Sequence, residues 1–207
     1  MTTKTKTTWR TREKSIREDQ VSLYSQFEEL ALQALYACIV RDVMKEYRYR
    51  RAETLRKYNT ITTFSHVALA NYALQQLWKL FDQNNSTMHV WYVVEYMPHS
   101  DLKAWFVRCI KELELDIKYL STWRGNASAH RSAIGHFAPQ ELDRKFEGEQ
   151  DNEGRIRQFL LDFLCEMRFQ IYRTSRKEQM QIFQEVLVDY RRLVESDCDE
   201  VLHKYDY

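Results

Sequence analysis

Glycine and proline are almost missing from this chain: four glycines and two prolines in 207 residues. Strands and tight turns depend on those residues, so their scarcity argues for long helices joined by few loops. Cysteine is sparse as well. Cys38, Cys109, Cys165 and Cys198 lie far apart and form no Cys-x-x-Cys pair. A zinc knuckle or a disulfide framework is therefore not expected, and reduced thiols in a cytoplasmic protein fit better. No apolar run approaches the ~20 residues that cross a bilayer. The opening Met1-Thr-Thr-Lys-Thr-Lys-Thr-Thr has no apolar stretch of the secretory kind. A strong overall charge is also lacking, with 31 basic against 30 acidic side chains and a net of +1.

What is present is helical periodicity. Residues 1–15 are rich in Thr and Lys and read as a flexible segment, with a first helix starting between Thr11 and Asp19. Tyr24, Phe27, Ala31, Leu35 and Cys38 then recur at three- and four-residue steps and carry the helix toward Arg56. The stretch from Asn59 to Thr63 breaks it. A second helix runs from about Thr63 to Phe81 on Val67, Ala70, Leu74, Leu77 and Phe81. A short third one, capped by Ser86 or Thr87, spans Met88–Met97, and its β-branched content leaves a strand as the alternative. A fourth extends from Ser100 or Asp101 to about Trp123, with Leu102, Trp105, Phe106, Cys109, Leu113, Ile117 and Leu120 on one face. The last begins near Gly154 with Ile156, Phe159, Leu160, Phe163, Leu164 and Met167. A hinge at Thr174-Ser175 precedes a helical extension and an acidic tail. The expected fold is all-α, an up-and-down bundle of about five to six helices. It divides into a segment 1–15, a bundle 16–175 and an extension 176–207.

Two patterns carry chemistry. From Arg41 to Tyr58 seven basic residues, among them Arg48, Arg50, Arg51 and Lys57, stand against three acids, with Tyr47, Tyr49 and Tyr58 interleaved. Such a stripe suits an RNA backbone with base stacking, and equally suits a solvated helix face. The second pattern is Trp123-Arg124-Gly125-Asn126-Ala127-Ser128-Ala129-His130-Arg131. A guanidinium grips phosphate oxygens through its fork, and an imidazole moves a proton near neutral pH. On an unbroken helix Arg124 and His130 would lie roughly 120° apart. Gly125 offers a break, after which Asn126 or Ser128 would cap a fresh turn pointing N–H groups at a phosphate. Asp82 is a candidate to hold Arg124, Arg131 to add a phosphate contact and His136 to support the site. Glu200-x-x-His203 has the spacing of a di-iron motif but lacks its second copy and extra carboxylates, so no metal is expected.

Arg124, five residues, then His130 resembles the motif of the HEPN superfamily. Within it the chain looks most like the abortive-infection-associated proteins of the AbiU2 type. Those pair a stretch ending Ala-His, here Ala129-His130, with an upstream helix ending Leu-x-x-Leu-x-Asp, here Leu77 to Asp82. The similarity covers roughly residues 20–170. It implies a helical dimer that brings two Arg/His pairs into one cleft. It also implies metal-independent, cofactor-free cleavage of tRNA or mRNA to a 2′,3′-cyclic phosphate, in phage defence or a toxin system with a possible antitoxin or sensor partner. Active members carry a polar residue directly after the arginine, where this chain has Gly125. A catalytically silent RNA- or nucleotide-binding module and a helical interaction protein are the competing expectations.

Overall fold

The computed structural model describes residues 6–50, 59–83, 88–97, 100–128 and 151–203, with side chains over 20–50, 65, 67–83, 88–97, 100–122 and 151–201. Among the described residues there are seven helices and no strand: α1 (Lys6–Arg50), α2 (Asn59–Lys79), α3 (Val90–Glu95), α4 (Ser100–Glu112), α5 (Glu114–Ser128), α6 (Asn152–Tyr172) and α7 (Arg176–His203). The all-α expectation holds. α1 is the axis: α2, α3, α6 and α7 all pack on it, while α5 is wedged between α2 and α6.

The sequence explains most of this packing. α6 brings Ile156, Phe159, Leu160, Phe163, Leu164 and Met167 into the core, every one buried. Phe163 meets Phe27 of α1 at 5.2 Å and Phe106 of α4 at 4.5 Å, ring centre to ring centre. Tilted contacts of this kind suit the ring quadrupoles, and burying three phenyl groups supplies much of the local stabilisation. α6 is closed at both ends. The Asp151 carboxylate accepts the Gly154 N–H at 2.9 Å, and Arg173 ends the helix in a left-handed turn, its N–H on the Phe169 carbonyl. The chain then breaks at 173–175, where a hinge was expected, and α7 folds back along α6 and α1. Glu166 clamps the turn by pairing with Arg176, whose guanidinium lies 4.1 Å over the Phe169 ring.

Several boundaries differ from the expectations. α1 begins at Lys6, ahead of the expected Thr11–Asp19 window. α2 opens at Asn59, a few residues ahead of the expected Thr63. α3 is helical and its cap is His89, whose Nδ1 accepts the Tyr92 N–H, in place of Ser86 or Thr87. The fourth expected helix is two: the ladder tightens at Leu113, whose N–H reaches both Ile110 and Cys109 carbonyls, and α5 starts afresh. The acidic stretch 196–200 continues α7 instead of forming a tail. Val67 and Trp105, expected on the apolar faces of their helices, are exposed.

Candidate functional site

α5 is anchored at its start. Asp116 is fully buried in its first turn, and Arg155 of α6 lies 3.4 Å from its carboxylate while also donating to the Glu112 carbonyl. One turn on, Leu120 is buried against the core. From there the helix runs without interruption through Trp123, Arg124, Gly125 and Asn126 to Ser128. The expected break at Gly125 does not occur. A glycine inside a helix costs about 1 kcal/mol against alanine, which a packed helix absorbs. Asn126 and Ser128 are therefore interior or last-turn residues, not caps of a new helix. At ~100° per residue Ser128 falls within about 40° of Arg124, and Asn126 about 160° away from it. His130, Arg131 and His136 lie outside the described residues, as do Arg51 and Lys57.

Between Asp116 and Glu141 there is no acid in 24 residues, while Lys118, Arg124, Arg131, His130 and His136 all fall there. The acids that flank this stretch are Glu114 and Asp116 before Lys118 and Glu141 after His136. Asp82 is buried in the turn that follows α2, where Leu80 and Phe81 donate back to Leu77 and Trp78.

The other basic stretch behaves differently. Arg41, the first cation of the expected stripe, is a structural residue. It donates to Asp42 at 2.6 Å and across to Glu153 of α6 at 2.5 Å, and Arg157 completes the square by bonding both Asp42 and Glu153. Burial pushes the Asp42 and Glu153 carboxyls up, but the hydrogen bonds and charges of Arg157 and Arg41 outweigh it and hold both below their ordinary values. Arg191 of α7 extends the seam by pairing with Glu46 and Glu195. Tyr47, expected among exposed stacking tyrosines, is 8% exposed and donates its hydroxyl to the Glu195 carbonyl. Tyr49 is 75% exposed. Arg48 is half-buried and Arg50 pairs with Glu46 one turn back. Among the described residues of the stripe, Lys45, Tyr49 and Arg50 are exposed and Tyr47 is not.

The four cysteines are free, and burial pushes the Cys38 thiol up to about 12 and Cys165 to about 11, which leaves them poor nucleophiles. Among the described residues no group of three His, Cys, Asp or Glu side chains is arranged to hold a metal. A cavity of about 230 Å³ opens between α1, α6 and α7, lined by Leu35, Ile39, Leu161, Leu187 and Val188 with Arg157 and Arg191 at its edge. Periodicity did not reveal the exposed Tyr92 and Tyr96, whose rings sit 4.8 Å apart on α3. Their i, i+4 spacing in a segment ending before Pro98 was the signal available.

No protein-family model, curated protein or solved structure matches this chain.

Proposed function

We propose that the protein is a metal-independent endoribonuclease of the HEPN type, acting on RNA as a homodimer in a cytoplasmic defence or toxin system. The observation that carries this reading is Arg124 on the last turns of α5, six residues before His130, in a stretch of 24 residues without an acid. Arg124 binds the scissile phosphate and stabilises the charge that builds on its oxygens. His130 takes the proton of the ribose 2′-hydroxyl or returns one to the leaving 5′-oxygen. The 2′-oxygen attacks phosphorus, the bond to the 5′-oxygen breaks, and a 2′,3′-cyclic phosphate and a 5′-hydroxyl result. Ser128, close to Arg124 by helical register, and Arg131 support phosphate binding. Asp82 and His136 are the residues to test for support of the pair.

The test is incubation of the purified protein with mixed tRNA and mRNA in EDTA, beside His130→Ala. Cleavage by the wild type alone, leaving cyclic phosphate ends, supports the assignment. Loss of cleavage should reach at least about a hundredfold, the usual contribution of a general acid or base. Cleavage that survives in the variant sinks it.

Gly125 favours a second reading, a silent RNA-binding module of the same fold. With α5 unbroken, Asn126 falls on the side of the helix away from Arg124 and does not replace a polar residue at position 125. Under this reading the wild type binds RNA without cutting it, and Gly125→Asn gains cleavage. Neither binding nor cleavage would leave a helical interaction protein.

A further inference from the structure

The cavity between α1, α6 and α7 has two kinds of wall. Leu35 and Ile39 of α1, Leu161 of α6, and Leu187 and Val188 of α7 give it an aliphatic lining, and Arg157 and Arg191 complete it. Its volume is about 230 Å³. An apolar cavity of about 150 Å³ takes up benzene, so this one has room for one ring or two fused rings. Leu35 is buried, whereas Val188 is 46% exposed and marks the way in.

The two arginines decide what kind of molecule fits. Their hydrogen-bonding edges are already in use. Arg157 donates through Nε and Nη2 to Glu153 and through Nη1 to Asp42. Arg191 donates through Nε to Glu195 and through Nη2 to Glu46. A guanidinium bonds carboxylates along its rim, and its flat faces are left for stacking on aromatic rings. This chain uses such a face twice. Arg168 bonds Glu28 while lying 4.6 Å over the Phe183 ring, and Arg176 bonds Glu166 while lying 4.1 Å over the Phe169 ring. Arg157 and Arg191 have the carboxylates, but no ring of a described residue lies over either.

Other ligand classes fit less well. Four carboxylates, Asp42, Glu46, Glu153 and Glu195, already pair with Arg41, Arg157 and Arg191, so a further negative charge would be repelled. A nucleobase has a suitable outline, but its ring nitrogens and exocyclic groups would lose water against five aliphatic side chains. A saturated hydrocarbon would gain from burial and nothing from a guanidinium face. An uncharged aromatic ring gains from both.

We propose that this cavity binds an uncharged, largely apolar aromatic molecule of one or two rings, stacked against the guanidinium faces of Arg157 and Arg191. Because three helices line the cavity, its occupant ties α7 to α1 and α6. The inference depends on neither RNA binding nor cleavage.

The experiment titrates the full chain with fluorobenzene and with 1-fluoronaphthalene, followed by fluorine NMR, beside fluorocyclohexane as the saturated control. The wild type should bind both aromatic probes. It should hold fluorobenzene about fivefold more tightly than fluorocyclohexane, the effect of a partly desolvated cation–π contact. Two variants, each checked for helix content by circular dichroism, test the walls. Val188→Trp puts an indole at the entrance from an exposed position and should abolish binding of both aromatic probes. Arg191→Met keeps an apolar side chain and removes the guanidinium; it should weaken fluorobenzene about two- to fivefold and leave fluorocyclohexane unchanged. A ligand that binds only the folded chain also raises the unfolding temperature as its concentration rises. The wild type should show that rise with 1-fluoronaphthalene, and Val188→Trp should not. No binding of either aromatic probe, binding that Val188→Trp leaves intact, or fluorocyclohexane held as tightly as fluorobenzene would each overturn the assignment.

Discussion

The seam between α1 and α6 and the far end of α5 are built from the same kinds of residue and treat them in opposite ways. At the seam, Arg41 and Arg157 share Asp42 and Glu153 in a closed square, and Arg191 meets Glu46 and Glu195 beside it. Each guanidinium there is occupied within the fold. Along 117–140 the chain provides cations and imidazoles and no carboxylate. An arginine that the protein satisfies itself fixes which helices meet. An arginine with no acid near it in the chain has none to pair with locally, although a distant one can serve, as Glu153 does for Arg41. The distinction rests on partners, not on residue type, and that is why a count of basic residues over 41–58 did not separate Arg41 from Arg50.

Removing one acid of the square should have the largest effect. Glu153→Gln leaves Arg41 and Arg157, both largely buried, sharing Asp42 alone. Breaking a buried pair from one side costs about 3–5 kcal/mol, and the surviving carboxylate places the expected loss at about 3 kcal/mol in urea unfolding. A loss below about 1 kcal/mol would show that the seam is a solvated surface after all, and the contrast with α5 would disappear.

Acid should act on the same groups more gradually. Asp42, Glu153 and Glu166 all have folded carboxyls below their ordinary values of 3.8, 4.5 and 4.5. A lowered folded pKa stabilises in full above the unfolded value and loses that stabilisation as pH falls through the folded one. Stability should therefore hold from neutral pH to about 5 and decline below about 4. Asp162, raised by burial, works in the opposite sense. In Glu153→Gln the decline should be shallower, and an equal decline would place the acid sensitivity elsewhere.

How much of this was legible beforehand depended on how far apart the partners are in the chain. α6 could be read in full: its six apolar residues follow the helical period without interruption and all are buried. The flanks were harder. Past the hinge the helical pattern runs through Ile182, Phe183, Val186, Leu187, Tyr190 and Leu193; α7 turns Phe183 and Leu187 inward and leaves Ile182, Val186 and Leu193 exposed, because the face that is buried depends on where α1 and α6 lie. Arg41 looked solvated because its partner Glu153 is 112 residues away. At the site the error was local. Gly125 was read as a break, whereas the packing of Leu120 and Asp116 earlier in α5 carries the helix through it. The Arg-to-His spacing itself could be read from sequence. Its geometry at His130 falls outside the described residues.

A smaller effect sharpens the comparison at α5. With Gly125 inside a helix, Gly125→Ala should raise stability by up to about 1 kcal/mol, since alanine loses less backbone freedom on folding. A destabilisation would mean that position 125 adopts a backbone conformation alanine resists, and the break would be restored.

The smallest expected change in stability is at Arg124. If the fold does not use this guanidinium, Arg124→Gln should shift unfolding by no more than about 0.5 kcal/mol, the range of ordinary surface substitutions. That is close to the effect expected of Arg192→Ala, which removes a pair with Asp189 in which both side chains are 73% exposed. The two variants should then part in RNA assays: Arg124→Gln loses cleavage, or weakens binding in a silent module, while Arg192→Ala does neither. A loss of several kcal/mol at Arg124 would place it with Arg41, as an arginine the fold has already used, and the anion assigned to it would be one of the protein's own carboxylates.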